Sequence, residues 1–155
     1  MKRLNLTTQA NPHFIGNWNI ENNSLCKKMI NFFEENPDLH IKGKISGGID
    51  EEVKKTVDIT INPKDLENDK FKVFNEYFKN LYECFGDYKE QYPFLRTFVK
   101  KIHIGPFNIQ KYLKGDHFGT SHSERTDIST IHRLFAWMTY LNDVDDGGTD
   151  FKYQN

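Results

Sequence analysis

The 155-residue sequence contains only two cysteines, Cys26 and Cys84, and they do not form a Cys-x-x-Cys pair. Two separated thiols are too few for a disulfide framework or a thiolate metal site, which points to a reducing, cytoplasmic setting. There is no run of about 20 apolar residues, so a membrane-spanning helix is not expected. The opening Met1–Thr8 is basic, yet the apolar stretch of about 7 to 15 residues that a secretory leader needs does not follow. Charge of one sign is also lacking: 21 Lys and Arg face 22 Asp and Glu, for a net charge of -1. That balance leaves no basic field to hold a nucleic-acid backbone or an anionic membrane. Neither a Gly-x-Gly-x-x-Gly loop nor a phosphate loop ending in Lys-Ser/Thr is present, which removes the usual grounds for nucleotide binding. Ser121 and Ser123, beside His122, lack the glycine-flanked elbow of a hydrolase nucleophile. Without a His-Glu-x-x-His set a zinc hydrolase is unsupported, and the acidic turn Asp143, Asp145, Asp146 lacks the ligand spacing of a calcium loop.

What the chain does have is aromatic bulk, with 13 Phe, 7 Tyr and 2 Trp in the length of one ordinary domain. Such material can fill a core, so disorder is not expected. Ser24 is a candidate cap for a helix whose Leu25, Met29, Phe32 and Phe33 share one face, stopped by Asn36-Pro37. After the glycine-bearing loop Lys42–Gly48, Val57, Ile59 and Ile61 alternate with Asp58 and Thr60, the pattern of a half-buried strand. From Asp69 the set Phe71, Phe74, Phe78, Leu81 and Phe85 recurs at steps of three and four, predicting a long helix closed by Gly86. Residues 107–113 alternate again as a strand. Leu134–Leu141 is apolar on both faces and predicts a central, covered strand against which the aromatic helix packs. Asn142–Gly148 is dense in turn formers, and Thr149–Tyr153 predicts a returning strand. Helices first and strands later define an α+β domain over 1–155, with 1–106 as a helical and strand flank and 107–155 as the start of a β core.

His122-x-Glu124 is the candidate for chemistry. In an extended segment, residues two apart project to the same side, so an imidazole nitrogen and a carboxylate oxygen can reach one small ion. One more histidine would complete the two-His, one-carboxylate facial set that leaves positions open on Fe(II). Around the pair stand Gln110-Lys111-Tyr112-Leu113-Lys114-Gly115-Asp116-His117-Phe118, then Arg133, Tyr140-Leu141-Asn142-Asp143 and Gly147-Gly148-Thr149-Asp150-Phe151.

This series resembles the prolyl 4-hydroxylase-like branch of the Fe(II)/2-oxoglutarate-dependent dioxygenases, in phage and bacterial form. The family pattern runs Tyr-x-x-Gly, an aromatic residue, His-x-Asp/Glu, Arg, Tyr-Leu-Asn and Gly-Gly-x-Thr-x-Phe. Lys54–Ile59 is similar to the strand that precedes the core. The resemblance implies N-terminal helices packed on a double-stranded β-helix of jelly-roll or cupin type. It also implies His122 and Glu124 as iron ligands, with Tyr112 and Tyr140 lining the 2-oxoglutarate cavity. Ascorbate would serve as an accessory reductant, and O2 as the second cosubstrate. Members couple conversion of 2-oxoglutarate to succinate and CO2 with hydroxylation of a C–H bond, on a peptidyl proline or another substrate that nothing in the sequence selects.

Glu124 stands where Asp is commoner in the family, and Gly-Gly-Thr-Asp-Phe is one residue shorter than the family's glycine pattern. The family's second histidine and the basic residue for the far carboxylate of 2-oxoglutarate have no counterpart up to Asn155. The expectation is therefore the N-terminal part of such an enzyme. His103, His117 and His132 are expected to be solvated or structural, and Arg133 to be an ion-pair partner. The rival reading is a non-catalytic β-sandwich module in which His122 and Glu124 are surface residues.

Overall fold

A computed structural model describes residues 1–9, 11–145 and 147–154. In chain order its elements are β1 (Lys2–Arg3), β2 (Trp18–Asn19), α1 (Asn23–Glu34), β3 (Ile41–Lys42), β4 (Lys54–Lys55), β5 (Val57–Ile61), α2 (Lys72–Gln91), α3 (Leu95–Phe98), β6 (Phe107–Lys111) and β7 (His117–Phe118). The three helices and small antiparallel sheets make a mixed α and β fold, as the order of sequence patterns implies.

The cap of α1 is Asn22 rather than Ser24: its side chain accepts from Leu25 N at 3.0 Å. Leu25, Met29, Phe32 and Phe33 are buried as their spacing requires. Before α2, Asp69–Phe71 forms a separate 3-10 turn. The helix then runs through Gly86 to Gln91 instead of stopping at the glycine. An interior glycine weakens a helix by about 1 kcal/mol relative to alanine. Ring contacts on either side of it offset that loss: Phe85 meets Phe135 at 5.4 Å, and Tyr88 meets Trp18 at 6.3 Å.

The main sheet has the order β3-β5-β6, with Ile59 opposite Ile109 and Asp58 opposite Gln110. Because side chains alternate across a strand, Ile59, Ile61, Phe107 and Ile109 line the face toward the helices. There Phe74 packs edge-on to Phe32 and Phe107, with ring centroids 5.0 and 5.7 Å apart, and Phe78 meets Phe107 at 5.1 Å. Phe74 is fully buried. Phe71 and Leu81 pack against this core while remaining partly exposed.

The sheet covering the aromatic helix is thus β5 and β6, and the expected strand 134–141 is a correction. Among the described residues after Phe118 no strand forms. The segment nevertheless docks with period two. Phe135 touches Phe85, Trp137 meets Phe78 at 6.5 Å, Thr139 hydrogen-bonds Tyr77 at 2.8 Å, and Leu141 joins the core. Leu134, Met138 and Tyr140 are left exposed, and Trp137 keeps 36% of its surface in solvent despite its contact with Phe78. Alternation places the side chains, but a strand exists only where neighbouring backbone supplies the ladder. The returning strand expected at Thr149–Tyr153 is likewise absent, and residues 152–154 form a turn. Of the acidic turn, Asp146 lies outside the described residues. The strand expected over 107–113 ends at Lys111, so Tyr112 follows β6 rather than lying within it.

Candidate metal centre

The route from β6 to the candidate ligands starts at Tyr112-Leu113-Lys114-Gly115. Gly115 has φ +87, a left-handed conformation that glycine adopts without strain. Asp116 locks the turn, its carboxylate accepting from Leu113 N at 2.9 Å while its own N–H donates to Leu113 O at 2.9 Å. That hydrogen bond from Leu113, with the Lys55 ammonium 3.3 Å away, holds the Asp116 carboxyl below its usual range. The chain then enters β7, which pairs with β4 so that Phe118 faces Lys54, and Gly119 N donates to Val53 O at 3.0 Å.

Just past that last ladder contact, His122 and Glu124 turn toward each other, with Nε2 and Oε1 3.6 Å apart. His122 Nδ1 lies 3.0 Å from Thr120 O. A carbonyl oxygen only accepts, so Nδ1 carries a proton and donates. Nε2 therefore faces the carboxylate: with a proton on it the two side chains form an ion pair, and without one Nε2 and Oε1 are two donor atoms side by side, the tautomer a metal-bound histidine needs. The ring also stacks on Phe118, with centroids 4.3 Å apart and planes 18° apart. The other carboxylate oxygen of Glu124 accepts from Arg133 at 2.9 Å, the ion-pair role expected of that arginine.

His117 is tied into the backbone: Nδ1 sits 3.3 Å from Gly115 O and Nε2 3.1 Å from Glu52 O. Two acceptors favour the doubly protonated ring and raise its pKa, the Glu52 carbonyl contributing most. His103 and His132 are exposed. Tyr112 is 45% exposed, and the part of it that is covered raises its phenol pKa, with smaller contributions from the charges of Asp58 and Tyr140. Tyr140 is itself exposed and hydrogen-bonds Thr149. Among the described residues no hydrogen bond or ring contact joins either tyrosine to His122 or Glu124.

On the sheet face away from the helices lies a buried polar network that the period-two reading of β5 missed. Asp58 accepts from Lys54 at 2.8 Å, from Thr56 at 2.7 Å and from Gln110 at 3.0 Å. Lys54, Thr56 and Asp58 are all buried. Gly43 closes over them: a Cβ there would stand 2.1 Å from Thr56 Oγ1 and 3.0 Å from Lys54 Cε. The available signal was the even numbering of Lys54, Thr56 and Asp58, which puts them on one strand face. Polarity alone suggested that this face met water.

No family model matches the chain, and no curated protein or solved structure matches it. The donor chemistry therefore has to be judged by itself. One imidazole nitrogen and one carboxylate oxygen, converging from positions two apart, fit two places on a divalent iron. Among the described residues no group of three His, Cys, Asp or Glu side chains gathers to hold a metal.

Proposed function

We propose that this chain carries the first part of the core of an Fe(II)/2-oxoglutarate-dependent dioxygenase of the prolyl 4-hydroxylase-like kind. The observation that carries the reading is the approach of His122 Nε2 to within 3.6 Å of Glu124 Oε1, with Nδ1 held away by Thr120 O. His122 and Glu124 would hold the metal, and Tyr112 and Tyr140 would line the cosubstrate side. When bound, Fe(II) supplies open coordination positions for 2-oxoglutarate and O2 and the oxidising power for C–H hydroxylation. The chain's own part is to present the imidazole in its ligating tautomer and the carboxylate beside it. A second imidazole and a basic group for the far carboxylate of 2-oxoglutarate complete such a site, and no described residue supplies them. The uncovered face of residues 134–141, bearing Leu134, Met138 and Tyr140, is where further strands of a double-stranded β-helix would lie.

The Arg133–Glu124 ion pair favours the rival reading, a binding module in which these side chains are surface groups. Anaerobic titration with Fe(II), followed by calorimetry, separates the two. The dioxygenase reading expects saturable binding that falls at least about tenfold, or about 1.4 kcal/mol, in both His122→Ala and Glu124→Ala. Equal affinity in the wild type and both variants would leave the binding module. Succinate release from 2-oxoglutarate should be negligible with this chain alone, because no described residue supplies the third protein ligand such a site would need.

A further inference from the structure

His122 and Glu124 lie beyond the last backbone ladder contact, on a segment with no strand partner among the described residues. A histidine held only by Nδ1–H donating to a carbonyl can still swing about that bond, and a metal site tolerates little swing. The ring of Phe118 supplies the missing restraint, its face parallel to the imidazole within 18°. Phe118 is 37% exposed, so burial does little to hold it. Its position is set from the other side of the ladder. Lys54 is its direct partner in the β4–β7 pairing, and the Lys54 ammonium sits 5.6 Å from the ring centroid, within cation–π range. Lys54 is in turn fixed by Asp58, and Asp58 by Thr56 and Gln110 across the central strands.

We infer that Lys54 and Phe118 are positioning residues for His122, carrying the rigidity of the buried Asp58 network out to an exposed ligand. The inference rests on the metal reading of His122 but makes a claim of its own about the ring. Burying an ammonium is expensive, and a sheet face occupied only by apolar side chains would be no less stable. What the buried ion pair adds is a cation held at one fixed point beneath an exposed aromatic ring.

The test uses the full chain in four forms: wild type, Phe118→Leu, Phe118→Tyr and the double variant Lys54→Met/Asp58→Asn. The double variant removes the cation without stranding a buried charge. Ring-proton NMR shifts of His122 report the stack directly, since a parallel aromatic face 4.3 Å away moves them upfield. Phe118→Leu should abolish that shift, Phe118→Tyr should keep it, and the double variant should reduce it. A midpoint in urea close to wild type would show that the leucine variant is folded. Affinity for Fe(II) should fall about ten- to a hundredfold in Phe118→Leu, the range seen when a partner that orients a ligand is lost. It should recover in Phe118→Tyr. His122 shifts that are the same in wild type and Phe118→Leu overturn the inference, whatever the metal does. Fe(II) affinity that falls in His122→Ala but not in Phe118→Leu overturns it too, while leaving the metal site standing. Fe(II) affinity unchanged by His122→Ala overturns the metal reading itself.

Discussion

Asp58→Ala is the sharpest test of how the sheet is held together. The Asp58 side chain is 3% exposed and that of Lys54 5%, and the carboxylate accepts three hydrogen bonds. Removing it leaves an ammonium without a counter-charge and two further donors without their acceptor, in a layer that Gly43 closes to larger groups. Breaking a buried pair from one side destabilises by about 3–5 kcal/mol, because an uncompensated charge stays behind. Against the roughly 5–15 kcal/mol typical of a whole domain, that is about a fifth of the total or more. Lys54→Met/Asp58→Asn behaves differently. The carboxamide introduced in place of the Asp58 carboxylate can still accept from Thr56, and a flipped Gln110 carboxamide can accept from the new amide. The double variant should therefore lie within about 1–2 kcal/mol of wild type. Equilibrium urea unfolding reads both. With a slope of about 1–3 kcal/mol/M, the single variant should lose more than about 1 M in midpoint at unchanged slope. A loss below about 1 kcal/mol for Asp58→Ala, or a double variant as damaged as the single one, would refute a pair held by mutual burial.

Phe74→Ala, at a fully buried position between Phe32 and Phe107, should lower stability by about 3–5 kcal/mol in the same assay. Phe71→Ala, at the partly exposed start of the stripe, should lower it by less. Arg133→Ala breaks an ion pair whose two side chains are each 49% exposed, so stability should change by less than about 1 kcal/mol. Fe(II) titration of that variant should nevertheless show tighter binding, since Glu124 no longer shares its carboxylate with a guanidinium. The raised pKa of His117 means that folding gains from its protonated ring. That gain is complete below the ordinary histidine value of about 6.5 and is lost as pH rises through the higher folded midpoint. Amide exchange at Gly119, whose N–H donates to Val53 O, should therefore quicken on the alkaline side beyond the intrinsic pH effect. Equal protection across that range would show that the contacts to Glu52 O and Gly115 O do not hold β7.

Much of this architecture was legible from spacing alone, because spacing decides which side chains share a face. The apolar set of α1, the stripe from Phe71 to Leu81 and the alternation of β5 and β6 follow from periods of about 3.6 and 2 and face the core as those periods require, while Phe85, at the far end of the stripe, packs on Phe135 outside it. The approach of His122 to Glu124 does not come from that rule, because the chain is not a strand there and bends at Glu124. Helix ends were less legible. Asn22 caps α1 in place of Ser24 because only a side chain at that distance reaches Leu25 N. α2 passes Gly86 because Trp18 and Phe135, remote in sequence, support its last turns. Two matters were decided by tertiary structure. Residues 134–141 have the composition of a central strand, but a strand is a pairing of backbones, and pairing belongs to two segments rather than one. Lys54, Thr56 and Asp58 have the composition of a solvated face. They are buried because Gly43 approaches from one side and Gln110 completes the hydrogen bonds from another, and neither contact can be read from the local pattern.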